Sequence, residues 1–433
     1  MSGVTLSSHE LETGYEHLTA EEILRQVIPA AITAEIPSSF ETVGHIAHLN
    51  LRDELLPYRQ SIGRVLLTKN SALRTVVNKT GTIETQFRTF PMEVIAGDDD
   101  TVVEVRRDAQ SVAGCVARHA TLLRPPPCQV KHCGATFRFD FRTVYWNSRL
   151  QHEHELLVTQ HIPAGAVVAD VFCGVGPFAV PLALDPRACV VHANDLNPAS
   201  HAALLANVAA NRVGGRVRCY NEDGRDFIRR LVRARVPFTH AVMNLPADAL
   251  SFLDAFVGLY GEGGSGAGSV VEGVPEAATA TTGTAGVKRR REDAEAGDGS
   301  VESAGAADAA AVPTHVPAPV LSPLPLPRIH VYCFTKAETP EEWTADVVQR
   351  AGAALGLLPA VGGAAASAAC DAAAAAAPLP EQLLPGLLIR RVRDVAPKKL
   401  MLCVSFDLPP AAAYALGPRG GVTTAAGPGE NQA

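Results

Sequence analysis

The sequence predicts an α/β chain: a doubly wound parallel sheet, preceded by a smaller α/β module and interrupted by disordered inserts. Three observations carry this. Between residues 143 and 260, short apolar runs alternate with helical stretches. A glycine-bearing turn, Asp170-Val-Phe-Cys-Gly174-Val-Gly176, directly follows the first of those runs. From 261 to 320 the large apolar residues give way to Gly, Ala, Ser, Thr, Pro and Glu, too little burial to offset the entropy cost of ordering.

Taken in order, residues 1–35 form an N-terminal extension with one helical pattern at Ala20–Val27. Residues 36–142 mix strand-like runs, Arg64–Thr68 and Thr101–Arg106, with polar turns, and contain an irregular, Pro-rich insertion at 108–131. A larger domain then spans 143–410. Its strands read as Val167–Phe172, Val190–Asn194, Val217–Asn221 and His240–Asn244, with helices at Pro177–Leu184, Pro198–Asn211, Asp226–Arg235 and Ala247–Val257. After the insert two strands resume, Ile329–Phe334 and Leu400–Phe406, separated by a helix at Glu341–Leu355 and an Ala-rich stretch at 360–378, for which a helix and a low-complexity loop are equally expected. Residues 411–433 read as a disordered tail.

Composition narrows the function classes. The chain has 433 residues, and no apolar run reaches the roughly 20 needed to span a membrane. The acidic N-terminus carries no leader pattern. The nine scattered cysteines form no Cys-x-x-Cys pair, which suits reduced thiols inside a cell rather than a disulfide framework. Net charge is −7, but residues 1–45 hold −6 and residues 262–308 hold −5, leaving +4 for the parts expected to fold. That balance permits a nucleic-acid partner without requiring one.

The chemistry concentrates at successive strand ends. Gly174 and Gly176 let the backbone turn tightly and approach a ligand at the carboxyl edge of a sheet. Asp195 ends the next strand, where a carboxylate can accept from both ribose hydroxyls of a nucleoside. Asp223 follows the third, where it can accept from an adenine amino group, with Gly224 leaving space for the ring. Each acid could equally serve as a helix N-cap; three such sites in a row favour a nucleoside cofactor. The third glycine of a dinucleotide loop is missing. The fourth strand ends in Asn244-Leu245-Pro246, without the aromatic that would stack on the base of an exocyclic-amine acceptor, which points to a ring nitrogen.

At this point a family resemblance is specific. Phe137-Arg-Phe-Asp-Phe-Arg-Thr-Val-Tyr-Trp-Asn-Ser-Arg-Leu150, Glu153-His154, the Asp170 loop, Asn194-Asp-Leu-Asn-Pro198 and Met243-Asn-Leu-Pro246 together resemble the eukaryotic and archaeal tRNA (guanine-37 N1)-methyltransferases. Upstream, Ile36–Leu51 and the segment from Phe87-Arg88 to Glu93-Val-Ile-Ala-Gly97 resemble that family's middle domain. The resemblance implies a Rossmann-like class I methyltransferase sheet that binds S-adenosyl-L-methionine as methyl donor. Its middle module at 36–142 would bind tRNA. It implies that His154, Asp195, Leu196, Asp223, Gly224 and Asn244 hold the donor, alongside Gly174 and Gly176, with Asp170 supporting the loop. Glu153 would be the general base and Arg88 the catalytic arginine, with Asn244 also at the catalytic centre. The product would be 1-methylguanosine at position 37 of tRNA, also the first step towards wybutosine in tRNA-Phe.

The chemistry is coherent. Guanine N1 is protonated at neutral pH; a carboxylate can take that proton when partial burial raises its pKa. The negative charge then spreads to O6, where an arginine can stabilise it. Two other readings stand beside this one: an aminocarboxypropyl transferase of the wybutosine pathway, and a catalytically silent RNA-binding relative. The chain departs from the family in having Ser148 where a proline is usual, in the insertion at 108–131, and in an N-terminal domain reduced to 1–35. The anticodon stem-loop is the expected partner, with no membrane and no second copy. Cytoplasmic and nuclear residence are expected, with Lys288-Arg-Arg-Arg291 resembling an import cluster, and the resemblance adds the mitochondrial matrix. No metal site is assigned, although Cys115, His119, Cys128, His132 and Cys133 crowd the insertion.

Overall fold

The computed structural model describes residues 14–37, 39–81, 87–106, 134–184, 186–261, 323–359 and 379–415. The insertion at 108–131 with its cysteines and histidines, the 261–320 insert apart from Gly261, its Lys288–Arg291 cluster and the Ala-rich 360–378 lie outside these residues.

The first helix, α1 (Ala20–Val27), is closed by a capping box. The Thr19 hydroxyl accepts from the Glu22 amide, and the Glu22 carboxylate accepts from the Thr19 amide at 2.7 Å. It packs beside α2 (Arg59–Lys69) over a four-stranded sheet of β1 (Glu41–Val43), β2 (Ile46–Leu49), β3 (Thr75–Lys79) and β4 (Met92–Gly97), in that spatial order. Ile23, Leu24 and Ile28 share one core with Ala47, Leu55, Ile62 and Val76, so residues 20–36 are built into this module. The expected strand at Arg64–Thr68 is instead the second half of α2. Ile62, Val65 and Leu66 fall on one helical face, and that spacing outweighs the short apolar run. A two-stranded sheet of β5 (Val102–Arg106) and β6 (Thr136–Asp140) follows.

The large sheet contains β7 (Val167–Asp170), β8 (Val190–Asn194), β9 (Val217–Tyr220), β10 (His240–Met243), β11 (Arg328–Thr335), β12 (Leu388–Ala396) and β13 (Lys399–Asp407). Their order is β12-β13-β11-β10-β7-β8-β9, with β13 antiparallel to both its neighbours and the remaining pairs parallel. The four strands and the two resumed strands expected from the sequence are all present within a residue or two. β12 is an additional strand that the sequence reading did not contain. Chain order reverses between β7 and β10, which makes the crevice at their carboxyl ends the natural ligand position.

Helices cover both faces. On one lie α3 (Gln151–Leu156), which runs on into a π-helical turn at Leu157–His161, α4 (Ala179–Ala183) and α5 (Pro198–Ala210). On the other lie α6 (Gly224–Arg233), a 3-10 segment at Ala249–Phe256, and α7 (Pro340–Ala354). The face of α6 set by Phe227, Ile228, Leu231 and Val232 is buried, each side chain contributing about 1.5–3 kcal/mol. A second capping box, Thr339 with Glu342, starts α7, and Pro340 occupies its first turn. After the short helix α8 (Pro380–Leu383) and the β12–β13 hairpin, α9 (Pro410–Ala413) closes the described chain. The expected tail from 411 therefore begins too early. Ala412 and Ala413 are fully buried, and their carbonyls accept from the Gly258 and Tyr260 amides.

The small β5–β6 sheet is fastened to α5 by two asparagines. Asn211 Oδ1 accepts from the Thr136 amide and Asn207 Oδ1 from the Arg138 amide, both at 2.8 Å. Phe137 and Phe139 then pack into the same core as α3 and α4.

Candidate active site

Four loops meet at the carboxyl edge of β7, β8, β9 and β10. Gly174 and Gly176 hold φ of +55° and +98°, the left-handed region in which a side chain is strained. A Cβ on Gly174 would meet nothing within 4 Å, whereas one on Gly176 would lie 2.9 Å from Leu204 Cδ1. The first glycine opens a cradle and the second allows the loop to pack on α5.

The residue that supports this loop is Asp195, and not Asp170 as expected. Asp195 Oδ2 accepts from the Gly174 amide and Oδ1 from the Asn197 amide, both at 2.9 Å. Burial pushes its carboxyl above the usual range, partly offset by those two amides. Asp170 ends β7 fully buried, and neither of its oxygens has a hydrogen-bond partner among the described residues. Burial, reinforced by the charge of Asp195, raises its pKa well above that of an ordinary aspartate. Across the switch point, Asn244 Oδ1 is also buried and unpartnered among the described residues.

Asp223 serves as the N-cap of α6, its Oδ1 accepting from the Arg225 amide at 2.8 Å. The capping role foreseen as an alternative is therefore real, and it leaves the second oxygen for a ligand. Gly224 does not leave open space. A Cβ there would sit 2.9 Å from Phe172 Cε1, so the missing side chain accommodates Phe172, which stacks edge-on against Phe252. Leu196 is partly exposed beside Asp195. Asn194, which the sequence reading passed over as a site residue, ties three strand ends together. Its amide donates to the Val171 and Glu222 carbonyls and its oxygen accepts from the Glu222 amide.

Glu153 and His154 lie buried on α3 next to this edge. The His154 ring meets Phe178, which follows the glycine loop, edge-on with centroids 4.5 Å apart. The sequence suggests a base conditioned by burial alone; the structure adds a cation. Arg390 of β12 donates through Nη2 to Glu153 Oε1 at 2.8 Å and through Nη1 to Oε2 at 3.0 Å, and the Tyr332 hydroxyl of β11 donates to Oε1 at 2.9 Å. Arg88 does not join this cluster. It is half-buried between β3 and β4 with φ of +57°, and forms no hydrogen bond or ion pair among the described residues.

The donor set fits a small cationic nucleoside. The loop offers carboxylates and an amide oxygen rather than the basic groups a phosphate would need, and it is open beside Gly174, where a Cβ would meet nothing within 4 Å. Among the described residues no cluster of His, Cys, Asp or Glu could hold a metal ion, and no helix is long and apolar enough to cross a membrane.

Residues 20–101 match a family model described as the TYW2 N-terminal domain, and residues 128–265 match one described as the TRM5/TYW2 methyltransferase domain. A tRNA (guanine(37)-N(1))-methyltransferase of Phytophthora infestans is 38% identical over 407 residues, covering 94% of this chain and 71% of the relative. The proteins of the same name from Danio rerio and Homo sapiens are 36% and 33% identical over 94% of this chain, which spans 63% and 60% of their lengths. Among solved structures, a complex of aTrm5 and tRNALeu superposes with a TM-score of 0.52 at 18% identity, covering 94% of this chain and 82% of that one. Trm5b from Pyrococcus abyssi gives 0.50 at 19% identity, covering 88% and 78%. These two likenesses speak for the fold.

Proposed function

This chain belongs to the tRNA (guanine(37)-N(1))-methyltransferase family, and from that premise we propose that it methylates N1 of guanosine-37 in tRNA. The observation that carries the reading to the residues is Asp170: a fully buried carboxyl group at the switch point of the sheet, with no hydrogen-bond partner among the described residues. S-adenosyl-L-methionine bound there supplies an electrophilic methyl group on a sulfonium centre. In this reading Asp170 and Asn244 face the donor's charged amino-acid portion. Asp195 accepts from the ribose, Asp223 and Leu196 border the adenine, His154 supports the glycine loop through Phe178, and Gly174 keeps the entry open. Glu153 accepts the N1 proton of guanine, and Arg88 reaches the RNA from the small module.

The small α/β module is the part read as contacting the anticodon arm, with the enzyme acting as a monomer. The Lys288–Arg291 cluster supports a nuclear pool beside the cytoplasmic one, and a mitochondrial pool follows from the family resemblance alone. A fluorescent fusion with and without those four residues tests the nuclear part.

The reaction is tested by incubating the protein with unmodified tRNA and donor labelled either in its methyl group or in its aminocarboxypropyl group. Methyl label in 1-methylguanosine at position 37 supports the proposal. Incorporation of the aminocarboxypropyl label instead identifies the wybutosine-pathway transfer, and no incorporation of either, with tRNA bound, identifies a silent relative.

A further inference from the structure

We propose that Arg390 and Tyr332, supplied by strands beyond the 261–320 insert, are the positioning residues that hold Glu153 ready to take the N1 proton. This rests on the reading of Glu153 as the base.

The geometry is that of a clamp. Glu153 and Arg390 expose only 8% and 15% of their side chains, so their ion pair is withdrawn from water. The guanidinium meets the carboxylate with both Nη groups, the two-pronged arrangement that fixes an orientation as well as a charge. Nothing else among the described residues engages it by hydrogen bond: Arg390 Nε is buried without a partner, so the side chain is committed to Glu153. Tyr332 is fully buried, and burial keeps its hydroxyl protonated well above the usual tyrosine range, hence a fixed donor. The ring of Tyr332 lies 6.0 Å from that of Phe178, so the clamp abuts the glycine loop.

The distribution of contacts selects one oxygen. Oε1 accepts from both Tyr332 and Arg390, whereas Oε2 accepts from Arg390 alone. Oε2 therefore keeps a lone pair for the incoming proton. In the step, the guanine N1–H bond breaks as an O–H bond forms on Oε2. The electron pair left on N1 enters the new bond to the methyl as the methyl–sulfur bond breaks and its pair returns to sulfur, leaving a neutral thioether, and the proton later leaves Glu153 for solvent. A carboxylate so held is aimed before the guanine arrives; misplacement by about 1 Å in such a step costs on the order of 10²-fold in rate.

The test is single-turnover methylation of unmodified tRNA at saturating donor, with tRNA and donor affinities measured alongside. Glu153→Ala sets the scale, with an expected loss of about 10²–10⁴-fold. Arg390→Lys keeps the charge but loses the fork, and is expected to slow the chemical step by about tenfold or more with both affinities within about threefold of the parent. Millimolar guanidinium should restore part of the rate lost in Arg390→Ala. The double variant Glu153→Ala/Arg390→Ala should be no slower than Glu153→Ala, because a residue acting only through Glu153 adds nothing once it is gone. Glu153→Ala slow but Arg390→Lys within about twofold of the parent overturns the clamp while leaving the base in place. Glu153→Ala at the parental rate overturns the base, and the clamp with it. A double variant much slower than Glu153→Ala overturns action through Glu153.

Discussion

Replacing Asp170 by Asn should make the free protein more stable and the liganded protein harder to form. The carboxylate is fully buried and unpartnered among the described residues, with the charge of Asp195 nearby. Its folded pKa is raised, so its contribution to stability is fully present below the unfolded value and is lost as pH rises through the folded one. At neutral pH the free protein carries that penalty. An unmet buried polar group costs about 1–3 kcal/mol, more if charged, and the neutral amide removes the charged part. A relief of about 2 kcal/mol would raise Tm by roughly 4 °C, taking the low end of the shift expected for a domain of this size. Binding moves the other way. Losing a charge-assisted hydrogen bond of about 1.5–3 kcal/mol weakens donor affinity roughly 10–150-fold. Thermal unfolding without ligand and calorimetric titration with S-adenosylmethionine read the two effects separately. An Asn variant that melts below the parent, or binds the donor as the parent does, refutes the reasoning.

Glu153→Gln turns an oxygen towards Arg390 into a second donor and strands a buried guanidinium, for about 3–5 kcal/mol of lost stability; an unchanged urea midpoint would contradict the ion pair. Asp223→Ala removes the cap of α6, costing about 0.5–2 kcal/mol, and should also weaken donor binding; Asp223→Asn is expected to recover the stability because its side-chain oxygen can still cap. His240 and His330, hydrogen-bonded to each other at 3.0 Å, and His192 are all buried with depressed pKa values, that of His192 lowered to about 4 by burial. The unfolded chain takes up these protons first, so their contribution is complete above pH 6.5 and falls as pH drops towards 4. In the Asp170→Asn background the urea midpoint should therefore decline from pH 6.5 to about 5, and a rising midpoint would reverse the assignment.

The parts of the site that the sequence made legible are those built from neighbours in the chain. The glycine loop, the strand-end acids and Asn244 announce themselves because a strand, a turn and a helix follow one another within a few residues. What each acid does was less legible. Asp170 and Asp195 have the same local setting, and only the three-dimensional course of the loop decides which one meets the Gly174 amide. Arg390 and Tyr332 left no local signal, since they reach Glu153 from 237 and 179 residues away. β12 hid for a related reason: an edge strand, half-exposed and rich in arginine, lacks the apolar run of a central parallel strand. The strand expected at Arg64–Thr68 failed in the opposite direction, a short run of β-branched and aliphatic residues whose helical spacing shows only when Ile62 is included.

The spatial order of the large sheet has a consequence for how the chain is made. β10 is synthesised with its outer edge unpaired, and β11, which covers it, lies roughly 80 residues further on; at about 5–20 residues per second that is on the order of 4–16 s. β13, the next strand outward, emerges later still, after β12. The edge that carries the glycine loop can thus assemble on the ribosome while Glu153 still lacks its Arg390 partner. The last-made hairpin converts a half-sheet with an open strand into a complete sheet in which Arg390 meets Glu153. A nascent chain stalled before Arg390 therefore exposes the edge of β11 that β13 pairs in the finished sheet.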